Sequence, residues 1–492
     1  MKKNFCIPRS YLNSNFTKRI LKGTILLSAG NFLSRILISL SIVYLARVLT
    51  KESFGQYSLL KSTVDSFLIF ATAGLSYSAT NFIAKERKNK NEKLTSLIST
   101  IFMIGFFLSS LISVLIYSYS EYLSVKFLGD KKLEYGLVIV AISIFFASFN
   151  SIQQGVLIGF ESFKNQMIVN ILQGVFIFSF TIFGALYADF IGAFIGLMFS
   201  MIATVIVNFF TLRNILQKNN INISFTIDRK IILDVLKFTL PLFISSILTT
   251  PVLWYLNTEV ARTNNGFKEI GTYNAVYIFP GLILTINSVL SNVILPIILN
   301  SDNITKIQEM FSQLINWFIS IYIIIFISCF PNLVLLVLGN NFNLNDISTT
   351  LLFSLSSVLI ITHRQGVAIN LIKKNKTIYS VYSMGQWAIT TIIIFLIFEE
   401  PNSDNLSKSL FIGYFINTII FIPFFVHKKI ISKYIYFNKY KIVLFFITFI
   451  IILINYYITF NFLLNIILFL VEIITVSILI YKMKNNVTQE DY

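Results

Sequence analysis

Two cysteines in 492 residues, Cys6 and Cys329, exclude a disulfide framework and a cysteine-ligated metal site. The two histidines, His363 and His427, are too few and too far apart for a histidine metal cluster. Charge is scarce as well: Asp, Glu, Lys and Arg make up 12% of the chain, about half the roughly 25% of an ordinary soluble domain. No Gly-Lys-Ser/Thr phosphate loop and no paired-acid motif occurs, so the residues call for no nucleotide and no cofactor. Residues 1–22 are basic and polar, without the small-residue cleavage pattern of a secretory signal. The first apolar run is therefore expected to remain as an anchor.

What the chain has in place of charge is hydrocarbon. Hydrophobic residues make up 55% and the mean hydropathy is +0.76, which places it among all-α polytopic membrane proteins. At about 20 apolar residues per crossing, the sequence divides into fourteen expected spans. They run near 23–46, 57–83, 95–117, 136–159, 166–187, 190–212, 238–260, 272–299, 314–338, 347–371, 377–398, 409–426, 442–459 and 462–481. Basic residues test that count independently. With both termini cytoplasmic, 28 of the 39 Lys and Arg fall inside and eight outside (Arg47, Lys51, Lys126, Lys131, Lys132, Arg262, Lys268 and Lys408). Only Arg35, Lys61 and Arg364 lie within spans. This bias is the positive-inside rule for an inner or plasma membrane. It accounts for the net charge of +17 as topology and removes nucleic acid as a partner.

The spans also repeat. Gly55-Gln56-Tyr57 after span 1 matches Gly271-Thr272-Tyr273 after span 7, at an offset of 216 residues. Gln154-Gly155-Val156 with Lys164-Asn165 matches Gln365-Gly366-Val367 with Lys374-Asn375, at offsets of 211 and 210. Six crossings is an even number, so the duplication predicts two six-helix lobes in the same orientation, related by a pseudo-two-fold along the membrane normal. The expected units are an N-lobe (1–234), a C-lobe (235–427) and two appended C-terminal spans with a tail (428–492).

Charge inside the spans marks the candidate site. Thr24, Ser28, Asn31, Arg35 and Ser39 recur at steps of three or four, so they share one face of span 1. Lipid offers no hydrogen-bond partner, so this stripe must face protein or a watery cavity. An arginine at mid-bilayer costs about 2.5–3.5 kcal/mol even on insertion scales. Lys61 and Asp65 are four apart on span 2 and can pair; Asp65 is also placed to accept a coupling proton or cation, and the alternative is an Arg35–Asp65 structural pair. Arg364 lies about 10 Å from the cytoplasmic end of span 10, within snorkelling reach, beside the titratable His363. Glu259 and Arg262 close span 7 at the outer face, as a gate against span 1 or a surface pair. Glu472 stands in span 14 with no evident partner. Arg35, Asn31, Lys61 and Arg364 are thus the substrate-binding candidates, and Asp65, Glu259, Arg262 and His363 those for coupling or gating. Because span 7 carries polar residues only near its outer end, the buried arginine is expected to belong to the first lobe alone.

Several segments resemble one family throughout: FGQYS (54–58), GLSYSATNFIAKER (74–87), QQGVLIGFESFKNQ (153–166), FTLP (238–241) and FKEIGTYN (267–274). They look like the polysaccharide-unit flippases of the multidrug/oligosaccharidyl-lipid/polysaccharide exporter superfamily. The resemblance implies alternating-access transfer of an undecaprenyl-pyrophosphate-linked oligosaccharide, of the O-antigen, lipopolysaccharide or capsule type, from the cytoplasmic to the outer leaflet. It implies as partners the lipid-linked oligosaccharide, the bilayer and the polysaccharide polymerase machinery, with a monomeric chain. It also implies a groove for the polyprenyl tail in spans 13 and 14. Arginine suits such a substrate because guanidinium pairs with phosphate oxygens in bidentate fashion. Rivals remain within the superfamily: a cation-coupled multidrug exporter, for which an acidic cavity is expected, and a flippase for the lipid-linked peptidoglycan precursor. The rival from another class is a membrane glycosyltransferase or polymerase, which the short external loops disfavour.

Overall fold

The computed structural model describes residues 15–87, 92–219, 221, 229–299, 306–374, 376–457 and 462–489. Cys6, Lys2, Lys3, Arg9, Lys88, Lys90, Asn375, the last residues of span 13 and the end of the tail lie outside these residues. Everything described is helix, turn or short connection, as a chain in lipid requires when each backbone N–H and C=O must be paired within its own segment.

Eleven described helices are long and apolar enough to cross a membrane, and one bent pair makes a twelfth. In order, α1 (Asn15–Val48) is span 1. Span 2 is that bent pair, α2 (Lys51–Thr72) and α3 (Leu75–Glu86), turned by 44° at the left-handed Ala73 and Gly74. Next come α4 (Glu92–Ser118), the short α5 (Ser120–Lys126) and α6 (Glu134–Gly159). The 56-residue α7 (Phe163–Lys218) is two spans, because Ala188 and Asp189 leave helical geometry. There its arms fold back: a Cβ on Gly184 would lie 2.0 Å from the Gly192 carbonyl, and one on Gly196 2.0 Å from that of Phe180. Span 7 is α8 (Arg229–Ile247) and α9 (Thr250–Ala261), interrupted just before Pro251. Then follow α10 (Gly266–Leu299), α11 (Lys306–Cys329), the short α12 (Pro331–Leu338), α13 (Leu344–Lys373), α14 (Ile378–Ile397) and α15 (Ser403–His427). A cytoplasmic turn, α16 (Lys433–Tyr436), leads to α17 (Lys439–Tyr457) and α18 (Phe462–Gln489). The count of fourteen crossings stands once α7 is taken as two and α8–α9 as one.

Each lobe packs around its fourth span, α6 in the first and α13 in the second, and α1 lies along the first arm of α7. The contact is close because small residues face it: a Cβ on Gly30 would come within 2.8 Å of Met167 Cα, and one on Gly174 within 2.8 Å of Ser34 Cα. The appended α17 and α18 rest on α11. Glu472, which has no partner on its own helix, finds one on another. Glu472 is buried and partnered, accepting from the Cys329 thiol at 3.0 Å, with Asn455 donating to Ser328 Oγ at 3.2 Å alongside. Hydrocarbon gives a carboxyl no partner, so the polar face of α18 is pinned to span 9. Periodicity along one helix could not show a thiol on another.

Candidate functional site

The ends of the bundle are named here by the orientation that the charge bias predicts. At the outer end the lobes meet backbone to backbone. A Cβ on Gly55 of α2 would lie 1.8 Å from the Phe267 carbonyl oxygen, and one on Gly271 of α10 would lie 2.1 Å from that of Lys51. Lys51 and Phe267 are themselves separated by the 216-residue offset, so repeat-related residues meet across the pseudo-two-fold. Any side chain at either glycine would push the lobes apart. A second seam joins spans 2 and 7. Trp254 Nε1 donates to Thr63 Oγ1 at 2.9 Å and Ser66 Oγ to the Thr250 carbonyl at 3.3 Å. Edge-on contacts between Phe67 and Trp254, Phe70 and Phe243, and Phe82 and Phe238 continue it to the cytoplasmic half.

The seam between spans 1 and 8 differs. The stripe on α1 lies between a buried face (Gly23, Gly30, Ser34, Ser41 and Leu45) and an exposed apolar face (Ile25, Phe32, Leu33 and Leu40). Ser28 is buried and Asn31 is half-buried; the Asn31 carbonyl oxygen accepts from Asn170 Nδ2 at 2.6 Å, and Asn170 accepts from Gln166. Asn31 thus belongs to the helix contact with α7. Arg35 is exposed and makes no hydrogen bond or ion pair among the described residues. It lies about 20 Å from the outer end of α1 at 1.5 Å per residue. At comparable depth on α10, a Cβ built on Gly281 would meet no atom within 4 Å, so α10 is unpacked at that position. α10 packs on both α1 and α2, which barely touch beyond their connecting turn. Lys61 Nζ and Asp65 Oδ2 pair at 2.9 Å, as the spacing predicts, with both side chains partly exposed. Asp65 is thereby satisfied on its own helix, and the Arg35–Asp65 pair does not form.

The expectation that the first lobe alone holds the buried arginine is overturned. Arg364 is the one packed into a lobe: its Nη2 donates to Ser383 Oγ at 2.7 Å while its Nε is shielded and unpaired. Ser383 in turn donates to Asn417 Oδ1 at 3.2 Å, and Asn417 donates to the Ser383 carbonyl and to Gln386. The reason is packing. Arg364 points against α14 and α15, and these supply hydroxyl and amide partners where the sequence alone allows it to reach for the span's end. Arg364, Gln365, Ser380, Ser383, Met384 and Tyr414 line a cavity of about 190 Å³.

His363 points elsewhere, edge-on to Trp317, Tyr436 and Phe445, and its Nδ1 is unpaired. Lys441, assigned from the sequence to a cytoplasmic segment, is 2% exposed, with its ammonium 3.6 Å from the Tyr436 ring centroid. An aromatic face attracts a cation that has lost its water, and no spacing rule on α17 announces that neighbour. Glu259 and Arg262 pair with each other one turn apart at the outer end of α9, away from Arg35, Lys61 and Asp65. The structure therefore brings together Lys61 with Asp65 and Glu259 with Arg262, leaves Arg35 exposed and without a partner among the described residues, and sets Arg364 and His363 back to back inside the second lobe.

The fold has counterparts among solved structures. The lipid II flippase MurJ in an inward closed conformation is 18% identical, covering 93% of this chain and 99% of its own, with a TM-score of 0.68. A MATE transporter in complex with MaL6 is 15% identical, covering 85% and 97%, with a TM-score of 0.61. A MOP superfamily transporter from Pyrococcus furiosus, described as having a binding pocket of reverse polarity, is 16% identical, covering 84% and 94%, with a TM-score of 0.59. At these identities the likeness is one of fold: the chain has the two-lobed helical membrane fold of these transporters. No curated protein sequence matches it. The family model for polysaccharide biosynthesis proteins matches residues 20–301, more than half of the sequence, and the chain belongs to that family.

Proposed function

We propose that the protein is a flippase that carries a polyprenyl-pyrophosphate-linked oligosaccharide from the cytoplasmic to the outer leaflet by alternating access. The observation that carries this reading is Arg35, a mid-membrane cation left exposed and without a hydrogen-bond or ion-pair partner among the described residues, on a helix that packs against α10 of the other lobe. A permanent cation so placed lowers the barrier for a pyrophosphate, whose charge is the main obstacle to crossing hydrocarbon. Lys61 reinforces the positive field although Asp65 tempers it, and Arg364 with its hydroxyl and amide neighbours offers donors to the sugar in the second lobe. Family membership supports a saccharide, and the outer seal supports a resting state closed to the outside. Energy then comes from an ion gradient or from downstream use of the product.

A drug exporter would need an acidic cavity, and Asp65, the carboxylate at this depth, is already neutralised by Lys61. The peptidoglycan-precursor reading keeps the same lipid-diphosphate chemistry, and the likeness to the lipid II flippase covers more of this chain than that to the MATE transporter. Proteoliposomes carrying fluorescent polyprenyl lipids separate these readings. The expected order of flipping rate is oligosaccharide-pyrophosphate lipid, then peptidoglycan precursor, then the free polyprenol. A rate that is indifferent to removal of the pyrophosphate contradicts the proposal.

A further inference from the structure

The outer seal repeats a contact that no motif match picks out. Arg47, in the last turn of α1, donates from Nε to the Val337 carbonyl at 2.8 Å and from Nη2 to that of Leu336. Both carbonyls belong to the last turn of α12, where unfilled acceptors and the helix dipole favour a cation. Asn341 returns the contact: its Nδ2 lies 3.3, 3.1 and 2.9 Å from the carbonyls of Ala46, Arg47 and Leu49, which end α1. Lys51 pairs with Asp346 alongside. Arg47 crosses over Gly339, whose φ is +86°, and a Cβ there would meet Arg47 Cγ at 3.0 Å.

Across the pseudo-two-fold the plan recurs. Arg262 ends span 7 as Arg47 ends span 1, at an offset of 215 residues. Gly129, φ +76°, follows α5 as Gly339 follows α12, at an offset of 210 and within the same Leu-Gly dipeptide. A Cβ on Gly129 would lie 3.2 Å from Arg262 Cα and 3.3 Å from its Cγ. Each lobe thus presents a left-handed glycine to the arginine that ends the other lobe's first span. The guanidinium chemistry then diverges. Arg262 is taken by Glu259 on its own helix, whereas Arg47 binds across the lobes.

We propose that Arg47 and Asn341 form the engaged half of a duplicated outer latch, and that Arg262, held by Glu259, is its disengaged counterpart. The latch holds the outer end shut, and substrate release outward requires Arg47 and Asn341 to let go of the opposite helix ends. Its role in transport rests on the alternating-access reading above; the closure itself is read independently.

Spin labels on Glu52→Cys and Asn345→Cys, both exposed and on opposite lobes, report the outer opening by pulsed EPR in a Cys6→Ser, Cys329→Ser background. Arg47→Ala and Asn341→Ala are each expected to lower the ratio of short to long distances about tenfold, the scale of a charge-assisted hydrogen-bond set. Arg262→Ala is expected to change it less than about twofold. Unchanged distributions in both Arg47→Ala and Asn341→Ala overturn the latch, as does an equal shift in Arg262→Ala. Asn341→Ala removes only a half-buried amide at the surface end of the bundle, so it keeps the test valid if Arg47→Ala does not fold. Loss of pyrophosphate dependence in the flipping assay would instead strike the flippase reading and leave the distance result standing.

Discussion

The two lobes of this chain share backbone contacts and differ in what fills them. Gly55 meets Phe267 as Gly271 meets Lys51. Ser53 Oγ donates to Asp189 at 2.7 Å, tying the start of span 2 to the turn between spans 5 and 6. The equivalent tie in the second lobe reverses the roles: Ser403, at the turn between spans 11 and 12, donates from N and Oγ to Glu269 at 2.9 and 2.6 Å. The first lobe's interior is neutral amides, with Asn150 Oδ1 accepting from Asn208 at 2.7 Å and from Gln154 at 3.1 Å. The second lobe's interior holds Arg364 and His363, and Lys441 of the appended α17 is buried over Tyr436, whose ring His363 meets edge-on. Where main chain meets main chain, a substitution has no room and the duplicated contact persists. Where side chains meet side chains, donor and acceptor can trade places or acquire charge.

That comparison can be broken at its tightest point first. Gly55→Val and Gly271→Val are each expected to cost at least about 3 kcal/mol, the upper range for overpacking, read as thermal unfolding of the detergent-solubilised protein. Because they report one contact, the double variant should cost clearly less than the sum; full additivity would mean that the lobes do not meet there. Trp254→Ala follows, at about 3 kcal/mol, because it opens the seam of spans 2 and 7 and removes the donor to Thr63 Oγ1. Asn150→Ala should cost about 1–3 kcal/mol by taking the acceptor from the buried Asn208 amide and leaving Gln154 with Gln173 alone. The smallest effect sharpens the role reversal. Ser53→Ala loses the only donor shown to Asp189, about 1 kcal/mol, whereas Ser403→Ala keeps the backbone N–H on Glu269 and should cost less. The reverse order would show that the two ties are not equivalent.

Much of this was legible in the sequence because membranes impose simple rules. Apolar length located the crossings, and charge asymmetry proposes which ends face the cytoplasm. The i,i+4 spacing foretold the Lys61–Asp65 pair, and Gly55 and Gly271 flagged the repeat. The second repeat of Leu128-Gly129 and Leu338-Gly339 carried the same offset and was within reach, but two residues are too short a match to stand out without the left-handed backbone. The identity of the buried arginine was not legible. Helical periodicity says which residues share a face, and only packing says what that face meets. Arg35 met space and Arg364 met Ser383. For the same reason Lys441 read as a cytoplasmic charge until Tyr436 was found beneath it.

The central claim is that a free cation between the lobes receives the pyrophosphate, and charge at position 35 tests it most directly. Flipping of the oligosaccharide-pyrophosphate lipid should fall at least about tenfold in Arg35→Ala, a loss of about 1.4 kcal/mol of transition-state stabilisation. It should fall further in Arg35→Glu and recover in large part in Arg35→Lys. Equal rates in all four proteins, at equal reconstitution, would contradict the account.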